Sequence, residues 1–184
     1  PNNTGICGAV VNYPLPTATD NCAPQGTVSN FTQPWSNTGQ RGVFFDVTNI
    51  GGSTINITRL NPAMWATGPL SETFTVYVTT TASTWNGNQG NAGAWTLNTT
   101  ANVNFPGGAL PVQVNVNLTT PITLAPGQSK GIYLVANAGF GGGPVAYLSN
   151  TAGYGGPQSF QDANLRFIGG IGSSGLFANF FGDG

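Results

Sequence analysis

Apolar side chains recurring at every second position constrain this chain more than any other feature. In Val43-Phe44-Phe45-Asp46-Val47-Thr48, the residues Val43, Phe45 and Val47 fall on one side of an extended backbone, because successive side chains of a strand point to opposite faces. The pattern returns at Ile55 and Ile57 with Asn56 and Thr58 opposite, at Phe74, Val76 and Val78, at Trp95 and Leu97, and at Val112, Val114, Val116 and Leu118. Each segment reads as a half-buried strand. Further strands are expected around Val10 to Tyr13, Ile132 to Ala136, Val145 to Leu148 and Leu165 to Ile168, roughly eight to ten in all. Helical periodicity is almost absent.

Between these segments lie Asn49-Ile50-Gly51-Gly52-Ser53, Asn86-Gly87-Asn88, Pro106-Gly107-Gly108 and Ala125-Pro126-Gly127-Gln128. In such clusters Gly and Asn supply positive φ and Pro presets a turn. Short strands punctuated in this way predict an all-β, antiparallel β-sandwich or jelly roll. A chain of 184 residues suits one such domain with a short additional segment. Residues 1–29 combine both cysteines with Pro14, Pro16 and Pro24, which disfavours pairing on both edges and predicts an extended arm or linker. Residues 30–184 form the expected sandwich, with Gly139 to Pro157 as long loops around one short strand. The Gly-rich run Gly170 to Gly175 reads as a turn.

Charge narrows the function classes. Only 5% of residues are charged, against roughly 25% in an average soluble protein. The four basic residues, Arg41, Arg59, Lys130 and Arg166, are scattered, so no patch forms to neutralise phosphates or an anionic membrane surface. Nucleic acid is excluded as a partner, and no apolar run is long enough for membrane insertion as a helix. A surface rich in uncharged amides and hydroxyls lacks the repulsion that keeps proteins apart, which suits a subunit packed against neighbours. The first residues, Pro1-Asn2-Asn3-Thr4, lack the basic and apolar regions of a signal peptide, so the chain reads as mature or excised.

Cys7 and Cys22 flank a Pro-rich segment, as a small disulfide loop requires in an oxidising compartment; two free buried thiols are the alternative. Acceptor sequons stand at Asn2, Asn30, Asn56, Asn98 and Asn117, each followed two residues on by Thr. Chance accounts for most of them in so Asn- and Thr-rich a chain.

The inventory for catalysis is poor. There is no histidine, one glutamate (Glu72) and four aspartates (Asp20, Asp46, Asp162 and Asp183), so general acid–base chemistry has few groups to use. Asp46 and Glu72 are the only carboxylates on or beside expected core strands, and nothing in the sequence brings them across a common cleft. Nucleophilic serine or cysteine schemes lack their usual base. Gly170-Ile171-Gly172-Ser173-Ser174-Gly175 matches the spacing of a dinucleotide-binding glycine loop, but no helix follows it and no acid lies downstream. No enzyme activity is expected.

Cofactors are not expected either, since ligands for transition metals are missing. Calcium is the weaker alternative, with Asp20 or Asp162 supplying oxygen, although Asp at such places ordinarily caps turns.

Among the four tryptophans, Trp85 is the candidate for stacking on a sugar ring. It lies in the polar loop Ser83-Thr84-Trp85-Asn86-Gly87-Asn88-Gln89, where Asn86, Asn88 and Gln89 offer amides to hydroxyls. Packing of Trp85 on its own domain or a neighbour is the competing expectation, and Trp95 fits a core strand. The chain ends suggest assembly. Leu176, Phe177, Phe180 and Phe181 lie where a monomer ordinarily carries polar residues. The strand-like arm, with Ile6, Val10, Val11 and Tyr13, is fenced off by prolines and suits addition to the sheet edge of an adjacent copy; an intramolecular strand is the alternative.

Ile6-Cys7-Gly8-Ala9-Val10-Val11-Asn12-Tyr13-Pro14 followed by Pro16-Thr17-Ala18-Thr19-Asp20-Asn21-Cys22 closely resembles the opening of hyalin-repeat (HYR) domains. The remainder resembles a jelly-roll-like repeat found beside hyalin-type modules in large secreted proteins of Bacteroidota, including adhesins exported by the type IX system. The residues carrying this second resemblance are Gly42 to Asn49, Thr73 to Val78, Trp95-Thr96-Leu97, Leu124 to Leu134 and Asp162-Ala163-Asn164-Leu165. It implies an extracellular, modular, adhesive or structural role and carries no catalytic residues with it.

The leading expectation is therefore a structural or adhesive subunit, or one repeat, of an extracellular filament or surface adhesin. Its partners are copies of itself or adjacent repeats, and surface glycans are a further candidate. A carbohydrate-binding module using Trp85 is the alternative, and a viral coat or decoration protein the third.

Overall fold

The alternating segments do become strands. In the computed structural model, which describes residues 26, 28, 35–36, 41–64, 68–108, 112–137, 145–148, 159–175 and 178–180, they are β1 (Trp35–Ser36), β2 (Gly42–Asn49), β3 (Ile55–Leu60), β4 (Ala63–Met64), β5 (Leu70–Thr79), β6 (Trp95–Phe105), β7 (Val112–Gln113), β8 (Val116–Leu124), β9 (Ser129–Ala136), β10 (Val145–Leu148), β11 (Ser159–Gln161), β12 (Leu165–Gly175) and β13 (Ala178–Phe180). Only a 3₁₀ turn at Ala92–Ala94 interrupts this all-β pattern among the described residues. Of the arm, Gly26 and Val28 are described, whereas Cys7 and Cys22, the expected disulfide pair, lie outside the described residues.

The winding follows from three antiparallel pairings: β2 with β9, β3 with β8, and β4 with β7. The run β2–β3–β4 thus lies along β9–β8–β7 as a doubled ribbon closed by the β5–β6 hairpin. The ribbon folds over on itself in the manner of a jelly roll. Six strands lie side by side in the order β11-β12-β2-β9-β5-β6, β13 adds to β12, and β3–β8 forms part of the facing layer. Between the layers Phe45, Val47, Phe74, Val76, Val103, Phe105, Ile132 and Leu134 meet Ile55, Val116, Leu118, Ile122 and Leu124. Each fully buried side chain of this size contributes roughly 1.5–3 kcal/mol relative to exposure.

Turn chemistry sets the corners. Gln128 N–H donates to the Ala125 carbonyl at 2.9 Å, with Gly127 at φ 75°, so Pro126 and Gly127 occupy the positions that their backbones favour in a type II turn. Where β2 crosses to β3, Asn49 is wholly buried. Its Nδ2 donates to the carbonyls of Ser53 and Leu124 at 2.8 and 2.9 Å, and its Oδ1 accepts from Gly51 N–H at 3.0 Å. A buried amide so satisfied locks the corner instead of penalising it.

Two expectations need correction. The run Val112 to Leu118 is not one strand: β7 pairs with β4 and β8 with β3, and the chain bends between them, where Val114 N–H donates to the Pro62 carbonyl at 3.0 Å. The alternation survives the bend because Val114, Val116 and Leu118 all enter the core. Second, Gly170 to Gly175 is strand and not turn. It is the second half of β12, paired with β2 across a register shift between Gly169 and Gly172. Glycine there serves close approach to a neighbour, not a reversal of the chain.

Candidate functional site

β9 is apolar at Ile132-Tyr133-Leu134-Val135-Ala136 and buried at every one of these positions. A strand apolar at consecutive positions is covered on both faces, so the large sheet carries a second apolar layer on the side away from β3 and β8. Phe44, Trp95, Tyr133 and Val135 form it, with Tyr77, Trp85, Ala94 and Ile171 packed against them. Phe44 and Tyr133 stack with centroids 3.9 Å apart and planes within 8°. Trp95 meets Tyr133 edge-on at 6.1 Å, and the Tyr133 hydroxyl bonds to the Ser173 hydroxyl at 3.0 Å.

The loop between β5 and β6 lies on this layer. Thr80 N–H donates to the Ala94 carbonyl at 2.9 Å, closing its base, and Asn91 caps the 3₁₀ turn by accepting from Gly93 N–H. The loop is latched to the sheet through Asp46: Thr84 Oγ1 donates to Oδ2 at 2.6 Å and Trp85 N–H donates to Oδ1 at 2.8 Å. Opposite Asp46 in β9 stands Gly131, where a Cβ would come within 2.5 Å of Trp85 N. That small residue is what lets the loop backbone reach the sheet. Lys130 Nζ adds bonds to the carbonyls of Thr79 and Thr80 at 2.9 and 3.0 Å.

Trp85, the candidate for sugar stacking, is half-buried and faces inward. Its ring lies 6.2 Å from that of Phe44, tilted by 32°, and crosses Gly170, where a Cβ would meet Trp85 Cε2 at 2.6 Å. Asn86 is exposed, with its N–H donating to Thr84 Oγ1 at 3.1 Å. Asn88 Nδ2 donates to the Thr84 carbonyl at 3.1 Å, and the Asn88 carbonyl accepts from Trp95 Nε1 at 2.9 Å. Gln89 is half-buried on the same loop. The polar residues around Trp85 thus shape the loop that holds it.

The described carboxylates are engaged in the fold. Burial raises the Asp46 carboxyl above its ordinary value, and the bonds from Thr84 and Trp85 partly offset the rise. Glu72 is fully buried, and its Oε1 accepts from Thr73 N–H at 2.9 Å. Asp46 lies level with the Thr79 end of β5, whereas Glu72 is seven positions along that strand, about 23 Å away at the rise of an extended chain. Their side chains also emerge on opposite faces, Glu72 with Phe74 and Asp46 with Phe44. They form no pair. Asp162 Oδ1 accepts from the N–H groups of Asn164 and Leu165, both at 2.7 Å, and closes the β11–β12 turn. Among the described residues no three acidic or thiol groups gather into a metal site.

Asp20, the other calcium candidate, lies outside the described residues, as do Ile6, Val10, Val11, Tyr13, Leu176, Phe177 and Phe181. The backbone of Phe180 belongs to β13, opposite Ser173. No protein-family model matches the chain, and no curated protein matches it.

Period-two alternation assigns one buried face per strand and so does not reveal the aromatic layer. The signal was present in the adjacent Phe44-Phe45 pair and in the unbroken apolar run of β9. The surface shows a further pattern: neutral side chains are bonded across strands, Thr73 Oγ1 to Asn102 Oδ1 and Thr123 Oγ1 to Asn56 Oδ1, both at 2.7 Å. Amide and hydroxyl ladders of this kind replace ion pairs in cross-strand stabilisation.

Asp46→Ala is expected to cost about 1–3 kcal/mol, since two donors lose their acceptor, with a change in tryptophan emission as Trp85 loosens. Because the folded carboxyl is raised, its contribution is complete below about pH 3.8 and declines as pH rises through the raised value. Asp46→Asn should erase that segment of the stability profile, as read by urea denaturation from pH 3 to 7.

Proposed function

We propose that this chain is a structural or adhesive unit of an extracellular bacterial filament or surface adhesin, assembling through its terminal segments. The observation that carries this reading is that each described carboxylate is committed to holding the sandwich: Asp46 to a loop latch, Glu72 to the core backbone and Asp162 to a turn. A sheet covered by apolar layers on both faces, with a neutral bonded surface, suits a load-bearing module exposed to varying ionic strength, because amide and hydroxyl bonds are little screened by salt. The arm and the aromatic tail supply the joining segments.

Removing residues 1–13, with Cys22→Ser to avoid a stray thiol, tests it. The truncated chain should keep its β circular dichroism and cooperative unfolding while losing sedimentable or microscopically visible polymer. Normal polymer from that variant would overturn assembly through the arm.

A further inference from the structure

Edges of natural sheets are blunted by shortness, charge, proline or bulges, since an open row of N–H and C=O groups invites another strand. Most edges here follow that rule. β11 and β13 have three residues each, β1 and β7 two each, and β3 carries Arg59. β6 departs from it: eleven residues, Trp95-Thr-Leu-Asn-Thr-Thr-Ala-Asn-Val-Asn-Phe105, without a charge or a proline.

β8 bulges towards β6 beside Pro121, where the β3–β8 register shifts. From that bulge Thr119 N–H donates to Thr99 Oγ1 at 2.8 Å, and the Thr120 carbonyl accepts from Asn98 Nδ2 at 3.0 Å. These two bonds tie β8 to β6 at Asn98 and Thr99. From Thr100 to Phe105 no strand among the described residues pairs with the outer side of β6. Val103 and Phe105 are anchored in the core while Thr100, Asn102 and Asn104 are exposed, so this edge is rigid and uncharged.

We propose that the outer edge of β6 over Thr100–Phe105 accepts the segment Ile6–Tyr13 of a second copy as an added strand; this rests on the assembly reading above and names its acceptor. The donor is uncharged over eight residues, so no ion is desolvated when it joins an uncharged edge. The place where the arm meets the sheet suits a head-to-tail contact between two copies. Gly26, the first described residue of the arm, stands beside Asp162, where a Cβ would lie 3.0 Å from Oδ2. Asp162 sits in the β11–β12 turn, at the opposite border of the sheet from β6. Five strand spacings, about 24 Å, separate the two borders. A donor leaving one border for an acceptor on the other makes a head-to-tail contact that repeats without closing, the geometry of a filament.

The test places a photoreactive phenylalanine analogue at position 102 of the full chain and mixes light with ¹⁵N-labelled protein before irradiation. Cross-linked peptides should join position 102 of one copy to residues 6–13 of the other. Thr100→Lys with Asn102→Lys should reduce assembly at least about ten-fold with unchanged circular dichroism, since charge is the usual edge guard. Cross-links elsewhere or within a single copy, or full assembly of the lysine variant, would overturn the β6 assignment and leave assembly itself standing. A wild-type chain that stays monomeric at every concentration would overturn both.

Discussion

Gly170→Ala is expected to unfold the protein or leave it barely stable. The added Cβ would stand 2.2 Å from the Phe44 carbonyl oxygen, 2.6 Å from Trp85 Cε2 and 2.8 Å from Trp85 Nε1. Neither neighbour yields easily: β2 is paired on both sides, to β12 and β9, and Trp85 is backed by Phe44. A loss above about 4 kcal/mol is expected, from overpacking against backbone, against a total of roughly 5–15 kcal/mol for a domain. Gly52→Ala is the control, because a Cβ there meets nothing within 4 Å, and it should shift the midpoint of denaturation little. Trp85→Ala in the Gly170→Ala background should recover only part of the loss, since the clash with Phe44 remains. A Gly170→Ala protein with a wild-type midpoint would show that β12 does not pass under Trp85.

Tyr133→Ala should cost about 3–5 kcal/mol, the range for emptying a fully buried aromatic site. The ring is 0% exposed, stacks on Phe44 at 3.9 Å and meets Trp95 and Tyr77 at 6.1 Å each. Its removal opens a void that neighbours held by sheet pairing cannot fill. Tyr133→Phe keeps the stack and loses the bond to Ser173, for which about 0.5–1.5 kcal/mol is expected. Guanidinium denaturation monitored at the tryptophans reads both. A Tyr133→Ala loss no larger than that of Tyr133→Phe would mean that the aromatic layer adds little to stability.

Much of the fold was legible in the chain because period two survives in any half-buried strand. Val43, Phe45 and Val47, then Phe74, Val76 and Val78, pointed to the face that they do bury, and Pro126-Gly127 marked its own turn. The site was less legible. Trp85 stands in a run of polar residues that reads as a binding loop or as a packed one, and local sequence carries no term for what lies beneath it. Gly170 shows the same limit. Flexible backbone argues for a turn in isolation, whereas the tertiary need was a strand thin enough for an indole to cross.

By itself the sequence determined the class: strands from alternation, corners from Gly, Pro and Asn, a nearly uncharged surface from the scarcity of Asp, Glu, Lys and Arg. These are local or summed properties, and they do not depend on which strand meets which. Tertiary structure decided what depends on pairing between distant segments. It put Asp46 under Thr84 and Trp85, separated it from Glu72 by most of a strand, stacked Phe44 on Tyr133, and left β6, among the described residues, as a long edge without a charge or a proline. Residues 38 to 89 positions apart form these contacts, so only the register of the folded ribbon brings them together.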